Sequence, residues 1–415
     1  MIPLLASIAS SWQDWLAILS IPVVSAGVGW ITNVLALKMT FYPLRFVGIG
    51  PLGWQGIIPA KAGAMAGKAV DILTQRLITI EDRFEQIDPE FAAAEMAPAL
   101  ERLSLQIVNE AMEEGAPLVW ENAPPRVRQQ IYQRVRAEIP AAVSGIFQDL
   151  RSQISDLFDL RGMVVEALEK DRALLNEIFL KVGEAEFHFI ERSGFYFGFL
   201  FGLPQMGIFL LLRGLGIPAG WTLPLAGLLV GWATNYLALR MIFEPLRPQR
   251  YGPFVYQGLF LRRQQEVAAA YARIVTSQIL TSRNIFAHLA GGPFSGRVLR
   301  IVREHVKQAV DEVAGLAKPL VQLVQGTSSY VAIRSRIASR FAEEIPHSIQ
   351  HVLTYAEKAL DIENTLRNRM QALPPEQFEG FLRPVFQEDE WKLILAGAVL
   401  GLLAGLLQWV AFFVQ

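Results

Sequence analysis

The apolar residues of this chain are gathered into four long runs. They cover residues 15–37, 194–212, 214–239 and 393–415, with no charged residue inside them. A helix needs about 20 predominantly apolar residues to cross the hydrocarbon core of a bilayer, so each run predicts a membrane span. Between the spans lie two polar tracts, residues 61–190 and 262–392. Within them, apolar residues recur at three- and four-residue steps over 92–112, 126–158 and 298–324. That spacing predicts amphipathic helices. Asn-Gly and Asp-Gly hairpin turns are absent and alternation is little sustained, so strand signals are nearly absent. Pro124-Pro125, Pro140, Gly291-Gly292-Pro293, Pro319 and Pro374-Pro375 mark expected breaks between helices. The expected fold class is all-α: an integral membrane protein with about four transmembrane helices and two long amphipathic helical tracts.

The pattern repeats. Gly29-Trp30-Ile31-Thr32-Asn33-Val34-Leu35-Ala36-Leu37-Lys38-Met39-Thr40-Phe41-Tyr42-Pro43-Leu44-Arg45 returns 202 residues later as Gly231-Trp232-Ala233-Thr234-Asn235-Tyr236-Leu237-Ala238-Leu239-Arg240-Met241-Ile242-Phe243-Glu244-Pro245-Leu246-Arg247, with 12 of 17 positions identical. Gly50-Pro51, Gln55-Gly56, Lys61, Thr79 and Phe84 return as Gly252-Pro253, Gln257-Gly258, Arg263, Thr281 and Phe286 at the same offset. Gly194, Gly198, Gly202 and Gln205 match Gly397, Gly401, Gly405 and Gln408 at an offset of 203. A period this long predicts a tandem internal duplication rather than a solenoid. The first repeat is 15–212, a short linker is 213–216, and the second repeat is 217–415.

The Gly-Trp-x-Thr-Asn-x-Leu-Ala-Leu-Lys/Arg-Met-x-Phe-x-Pro-Leu element resembles the signature of the bacterial membrane-protein family catalogued as domain of unknown function 445. The closing Gly-x3-Gly-x3-Gly-x2-Gln span resembles it too. The resemblance implies a helical membrane protein and assigns no activity.

Composition narrows the classes. Of 415 residues, 52% are hydrophobic and only 19% charged, with a net charge of −1 and no cysteine. Mean hydropathy is +0.30. Intrinsic disorder, a disulfide scaffold, a thiol nucleophile and a Cys-ligated metal are excluded. No Lys or Arg precedes the first run and Asp14 stands there instead. That run is therefore expected to stay as an anchor rather than be cleaved as a signal peptide.

Basic residues follow the first and third spans. The positive-inside rule then puts both tracts in the cytoplasm of a bacterium, with the linker and both termini across its inner membrane; a periplasmic placement with inverted topology is the alternative, since long tracts can translocate whatever their charge. The tracts differ in charge, net −8 over 61–190 and net +3 over 262–392. The excess is greatest over 283–340, which is read either as a solvated or docking face or as a contact for anionic lipid headgroups. No nucleic-acid partner is expected, because no recognition motif accompanies the charge.

Four residues are candidates for a polar site inside the spans: Thr32, Asn33, Thr234 and Asn235. An amide in hydrocarbon needs a partner, so they serve either as interhelical glue or as a binding site near helices broken at Pro22, Pro218 and Pro224. Lys38, Arg45, Arg240 and Arg247 are expected at the membrane interface, with long side chains that reach the headgroups. Gly194, Gly198 and Gly202, with Gly397, Gly401 and Gly405, form flat stripes that let another span approach closely. Their partner is the other half of the chain, a second copy, or another protein. Residues 43–56 and 245–258 read as aromatic-rich interfacial loops. Glu177, Glu186, Glu379 and Glu388 recur between copies and are expected to cap helices or lie at headgroup level.

Catalytic motifs are missing. Of five histidines only His347 and His351 share a helix face, with no His-Glu-x-x-His pattern. No metal, cofactor or enzymatic activity is expected. Two functions compete: a membrane-anchored helical scaffold that organises membrane or handles lipid in an apolar groove, and a small-solute transporter or channel with its polar site at the repeat interface.

Overall fold

The computed structural model describes residues 12–49, 52–315, 326–348, 350–387 and 390–413. The helices that organise these residues are, in chain order, α1 (Trp12–Phe41), α2 (Pro89–Gly115), the short α3 (Pro117–Glu121), α4 (Pro125–Ser152), α5 (Glu184–Gly214), α6 (Thr222–Phe243), α7 (Ser295–Ala314), α8 (Thr327–Ser348) and α9 (Glu390–Phe413). Shorter helices link them. Helices α1, α5, α6 and α9 are each long and apolar enough to cross a membrane. The all-α class and the four candidate spans therefore stand.

Local signals set the helix ends. Asp88 caps α2, its carboxylate accepting from the N–H groups of Glu90 and Phe91, with Pro89 in the first turn. Pro125 opens α4. Gly315, with φ of +45°, ends α7 in a backbone conformation that a side chain would strain. The helix expected over 298–324 thus stops at Ala314, and 316–325, including Pro319, lie outside the described residues. The helix expected over 126–158 breaks at Gln153 and resumes as Ile154–Leu157.

Some expectations are corrected. Pro140 lies inside α4 and Pro22 inside α1, and neither ends its helix. A proline removes one ladder hydrogen bond, but here buried turns continue on both sides: Ile18, Ile21 and Ala26 about Pro22, and Val135, Ile139 and Val143 about Pro140. Pro224 stands in the first turn of α6, where proline is tolerated, and Pro218 precedes that helix. The spans are therefore not broken helices. Strands do occur. Val47–Ile49 (β1) pairs antiparallel with Leu52–Trp54 (β2), and Gln249–Tyr251 (β3) with Phe254–Tyr256 (β4). Three residues are too few to display an alternation in sequence.

The chain divides into two compact units. One takes Met1–Ala69, Glu166–Tyr271 and Arg367–Gln415; the other takes Val70–Val165 and Ala272–Leu366. The first unit holds all four candidate spans and both hairpins. Its spans pack α1 on α5 and α6 on α9. Ile18 and Ile21 of α1 meet Phe209 of α5 and Leu223 of α6 in one buried cluster. Large apolar side chains on the outer faces stay exposed, among them Leu19, Val23, Tyr196, Leu229 and Leu407. Such a surface suits lipid. The second unit holds α2, α3, α4, α7 and α8, whose buried stripes follow helical spacing. On α4 these are Val135, Ile139, Val143 and Ile146, and on α7 Val298, Val302 and Val306.

Candidate functional site

Within the spans, the expected polar residues are committed to packing. Thr32 donates to its own helix at Gly29 O (3.1 Å), and Thr234 to Gly231 O (3.3 Å). Asn33 Nδ2 donates across to Ile190 O at 2.6 Å, and Asn235 Nδ2 to Leu393 O at 2.8 Å. Both asparagines are buried, at 0% and 2% exposure. The structure does not gather the four residues into one cluster. Each pair serves its own helix–helix seam.

The glycine stripes lie in the same seams. A Cβ on Gly194 would lie 2.2 Å from Gly29 O, and one on Gly198 2.3 Å from Ser25 O. In the other pair, Cβ atoms on Gly397 and Gly401 would lie 2.6 Å and 2.0 Å from the carbonyls of Gly231 and Gly227. Gly202 and Gly405 lie just as close, against Pro22 and Leu223. The partner of each stripe is thus the neighbouring span of the same chain. Gln205 joins the first seam by accepting from Ser25 Oγ at 2.9 Å, a contact not legible in the repeat because Gly227 replaces serine in the second.

The interface cations differ from one another. Lys38 and Arg45 are exposed. Arg240 bonds Glu244 (2.7 Å) and the Tyr236 hydroxyl (2.8 Å), and Arg247 bonds Glu376 (2.8 Å). Arg383 adds bonds to Glu244 (3.0 Å) and Glu379, completing a charge network whose members lie too far apart in the chain to be paired from residue order. Glu186 also departs from expectation. It is 3% exposed and holds Arg263 through both carboxylate oxygens, at 2.8 Å and 3.0 Å. It is a buried ion-pair partner rather than a headgroup contact, because only a paired charge tolerates such burial. Glu388 lies outside the described residues, as do the side chains of His347 and His351. The loops at 43–56 and 245–258 are held to their spans by like bonds. Trp54 Nε1 donates to Met39 O and Gln55 to Leu44 O; Tyr256 Oη donates to Met241 O and Gln257 to Leu246 O.

The second unit contains the larger opportunity. Helices α2, α4, α7 and α8, with α3, line a half-open apolar cavity of about 540 Å³. It exists because small residues face it: Ser104, Ala116, Ala142, Ala309 and Ala314 leave unfilled the space between stripes of Val, Leu and Ile. Ser104 Oγ is spent on Leu100 O of its own helix, at 2.6 Å. Tyr330 reaches Asp311 Oδ1 (2.7 Å), whose other oxygen accepts from Arg334 (2.8 Å). Burial, together with the hydroxyl's bond to that carboxylate, pushes the Tyr330 phenol well above its ordinary value of 10.0. The polar side chains that line the cavity from α4 are Gln130, Arg134 and Glu138, spaced one turn apart. Amphipathic periodicity anticipates a groove between such helices, but not which helices leave a void.

Several cations of 283–340 are already engaged. Arg334 pairs with Asp311, Arg336 with Glu114, and Lys307 with Glu304. His305 Nε2 lies 2.8 Å from Asp149 Oδ2.

Stretches of the chain are similar to bacterial proteins named as UPF0754 membrane proteins. One from Shouchella clausii is 32% identical over 107 residues, 24% of this chain and 28% of that protein. One from Synechococcus elongatus is 43% identical over 63 residues, 14% of this chain and 15% of the relative. One from Bacillus cereus is 25% identical over 151 residues, 36% of each chain. The matched stretches thus span well under two thirds of each of these relatives. No protein-family model matches the chain. No solved structure matches it. With four helices of spanning length and relatives named as membrane proteins, the chain is an integral membrane protein.

Proposed function

We propose that this protein is a membrane-anchored helical scaffold that binds lipid in the second unit. The observation that carries the reading is the cavity of about 540 Å³, walled almost wholly by apolar side chains, in a chain that also carries four spans. Sites for small apolar ligands have this character: a concave apolar wall with a few polar groups for orientation. The test is mass spectrometry of lipids retained by the purified protein, against a detergent-washed membrane-protein control. Selective lipid in stoichiometric amount is the expected result. Lipid no different from the control overturns the reading.

A solute path through the spans has less support. The Nδ2 groups of Asn33 and Asn235 donate to backbone carbonyls, with Asn33 Oδ1 buried and unpartnered, and the space where the four spans meet is about 10 Å³.

The membrane is the inner membrane of a bacterium, with both polar tracts on the cytoplasmic side. The charge after the first and third spans supports this. The chain has no cysteine, so Gln129→Cys gives a single exposed thiol. Labelling of intact cells by a membrane-impermeant maleimide would overturn the cytoplasmic placement. The chain is also a tandem duplication akin to the domain of unknown function 445 family; the matched hydrogen bonds of Asn33 and Asn235 support that reading. The basic stretch 283–340 adds contacts to anionic lipid headgroups, although its ion pairs within the unit compete for the same charges.

A further inference from the structure

We propose that the two hairpins, β1–β2 and β3–β4, insert their exposed apolar side chains among the headgroups of one leaflet, where the arginines beside them select anionic lipid. This surface belongs to the first unit and is independent of the cavity in the second.

Both hairpins leave the spans on one side of the membrane. At one end of the spans, Ile18 and Ile21 of α1 meet Leu223 of α6. At the other end, Leu393 of α9 packs on Ala36 of α1, and its carbonyl accepts from Asn235 of α6. Helices α1 and α6 therefore run parallel, and each hairpin follows a C-terminal end. Exposed residues mark the level of the bilayer. Trp15 and Lys38 stand about 35 Å apart along α1, and Trp221 and Arg240 about 29 Å apart along α6, at ~1.5 Å per residue. Tryptophans and cations so spaced bracket a hydrocarbon core of about 30 Å.

Each hairpin is tied at its base to that boundary. Trp54 Nε1 donates to Met39 O, and Ile57, just past β2, packs on Ala36. In the second hairpin Tyr256 Oη donates to Met241 O, next to Arg240. A strand of three residues reaches about 10 Å at ~3.3 Å per residue. The headgroup layer is about 5–8 Å deep. Reach and depth are of one size, so the hairpins are placed to meet lipid heads.

What they present there is apolar. Ile49 is 88% exposed and Phe254 74%, and Phe46, Val47 and Val255 are exposed too. The two sets differ in residue and strand but agree in character. The bilayer interface is the apolar partner continuous with the spans. Charge sets which lipid is met. No Asp or Glu occurs over 15–70 or 245–265, while Arg45 and Arg250 are exposed beside the apolar residues. Apolar side chains among cations, without acids, complement a surface of anionic heads.

The chain has no cysteine. Ile49→Cys and Phe254→Cys therefore each place one NBD fluorophore on a hairpin of the full-length protein in liposomes. Val23→Cys, on the exposed face of α1, and Gln129→Cys, exposed in the second unit, are the references. Lipids spin-labelled near the head or deep in the acyl chain quench according to depth. Both hairpin labels should emit to the blue of the Gln129 label. They should be quenched more by shallow than by deep spin labels, the reverse of the Val23 label. The replaced side chains are exposed, so each variant should melt like the parent. Emission and quenching equal to those at Gln129 overturn insertion. A blue-shifted label that no spin-labelled lipid quenches is covered by protein, such as a second copy, and overturns it as well. Shallow-labelled phosphatidylglycerol should quench in preference to its phosphatidylcholine counterpart. Arg45→Gln and Arg250→Gln should each lower that preference about 5-fold at their own hairpin. Equal quenching by the two lipids in the parent overturns the anionic selection.

Discussion

Phe84 and Phe286 stand 202 residues apart in the chain, and their rings face each other with centroids 6.3 Å apart. They are 1% and 2% exposed. A residue meets its own counterpart where two equivalent segments are related by a two-fold axis. The contact therefore supports the duplication we propose. Truncating either ring leaves a cavity in a filled core, so Phe84→Ala and Phe286→Ala should each lower stability by about 3–5 kcal/mol. Because the rings touch, the double variant should depart from additivity by about 0.5–1.5 kcal/mol. Unfolding in micelles, followed by circular dichroism, measures both terms. Strict additivity would mean the ring contact carries no energy of its own.

The asparagines at the span seams should behave as structural residues. Asn33→Ala and Asn235→Ala each remove the interhelical donor to a backbone carbonyl, Ile190 O, which keeps its bond from the Ser193 hydroxyl, or Leu393 O. Interhelical hydrogen bonds in membranes are worth about 0.6 kcal/mol on average and up to ~1.7. Each variant should lose stability in that range, and the pair should lose the sum, since they lie in separate seams. Lipid retained by the folded double variant should match the parent. Loss of lipid without loss of stability would make these residues a binding site instead.

Much of the fold could be read from residue order, because lipid solvation imposes a coarse rule. Spans need long apolar runs, and the four runs here are longer than buried core helices commonly run without charge. The hairpins could not be read, since three residues such as Val47–Ile49 carry no period. Pro22 and Pro140 misled for a different reason. Proline's local cost is fixed, but the packing of Ile18, Ile21, Ile139 and Val143 that outweighs it is tertiary. The candidate site shows the same divide. Helical stripes on α2 and α4 are visible in sequence, whereas the void between them depends on which alanines end up opposed. The partners of Arg263 and Arg383 are also set by the fold, Glu186 lying 77 residues from Arg263.

The glycine stripes predict a sharp positional contrast within one helix. A Cβ on Gly198 would fall 2.3 Å from Ser25 O, and the backbone of α1 cannot yield as a flexible side chain would. A Cβ on Gly207, further along the same span, meets nothing within 4 Å. Gly198→Ala should therefore force α1 and α5 apart and lower stability by about 1–3 kcal/mol, as overpacking does. Gly207→Ala should be neutral or slightly stabilising, since alanine favours helix over glycine. Thermal melting of the two variants side by side decides the matter. Equal melting would mean the seam is looser than the structure places it.

The two glutamines one period apart should respond oppositely to the same change. Gln205 accepts from Ser25 Oγ, but Gln408 faces Gly227 at the corresponding place, and its Nε2 is buried with no partner. The space beside it, about 10 Å³, is at the lower limit for one water. An unpaired buried amide costs more than an apolar side chain of similar size. Gln408→Leu should thus raise the melting temperature, while Gln205→Leu should lower stability by about 1 kcal/mol. A fall in both variants would show that Gln408 has a partner, such as a bound water.

Acid should weaken the first unit through Glu244, which stands just beyond the end of α6. Burial alone would raise its carboxyl, but hydrogen bonds from Arg240 and Arg383, with their charges, outweigh it and hold the group below its ordinary 4.5. A carboxyl depressed in the folded state contributes stability that is fully present above the unfolded value. That contribution is lost as pH falls through the folded value. The melting temperature should therefore be flat with respect to this group near neutral pH and decline below about 4.5. Glu244→Gln keeps the shape of the side chain and removes the charge. It should melt lower than the parent at neutral pH and show a shallower acid decline, so that the two curves converge at low pH. Curves that stay parallel down to acid would assign the decline to other carboxylates, of which Glu376, also held low by its backbone bond and Arg247, is the next to substitute.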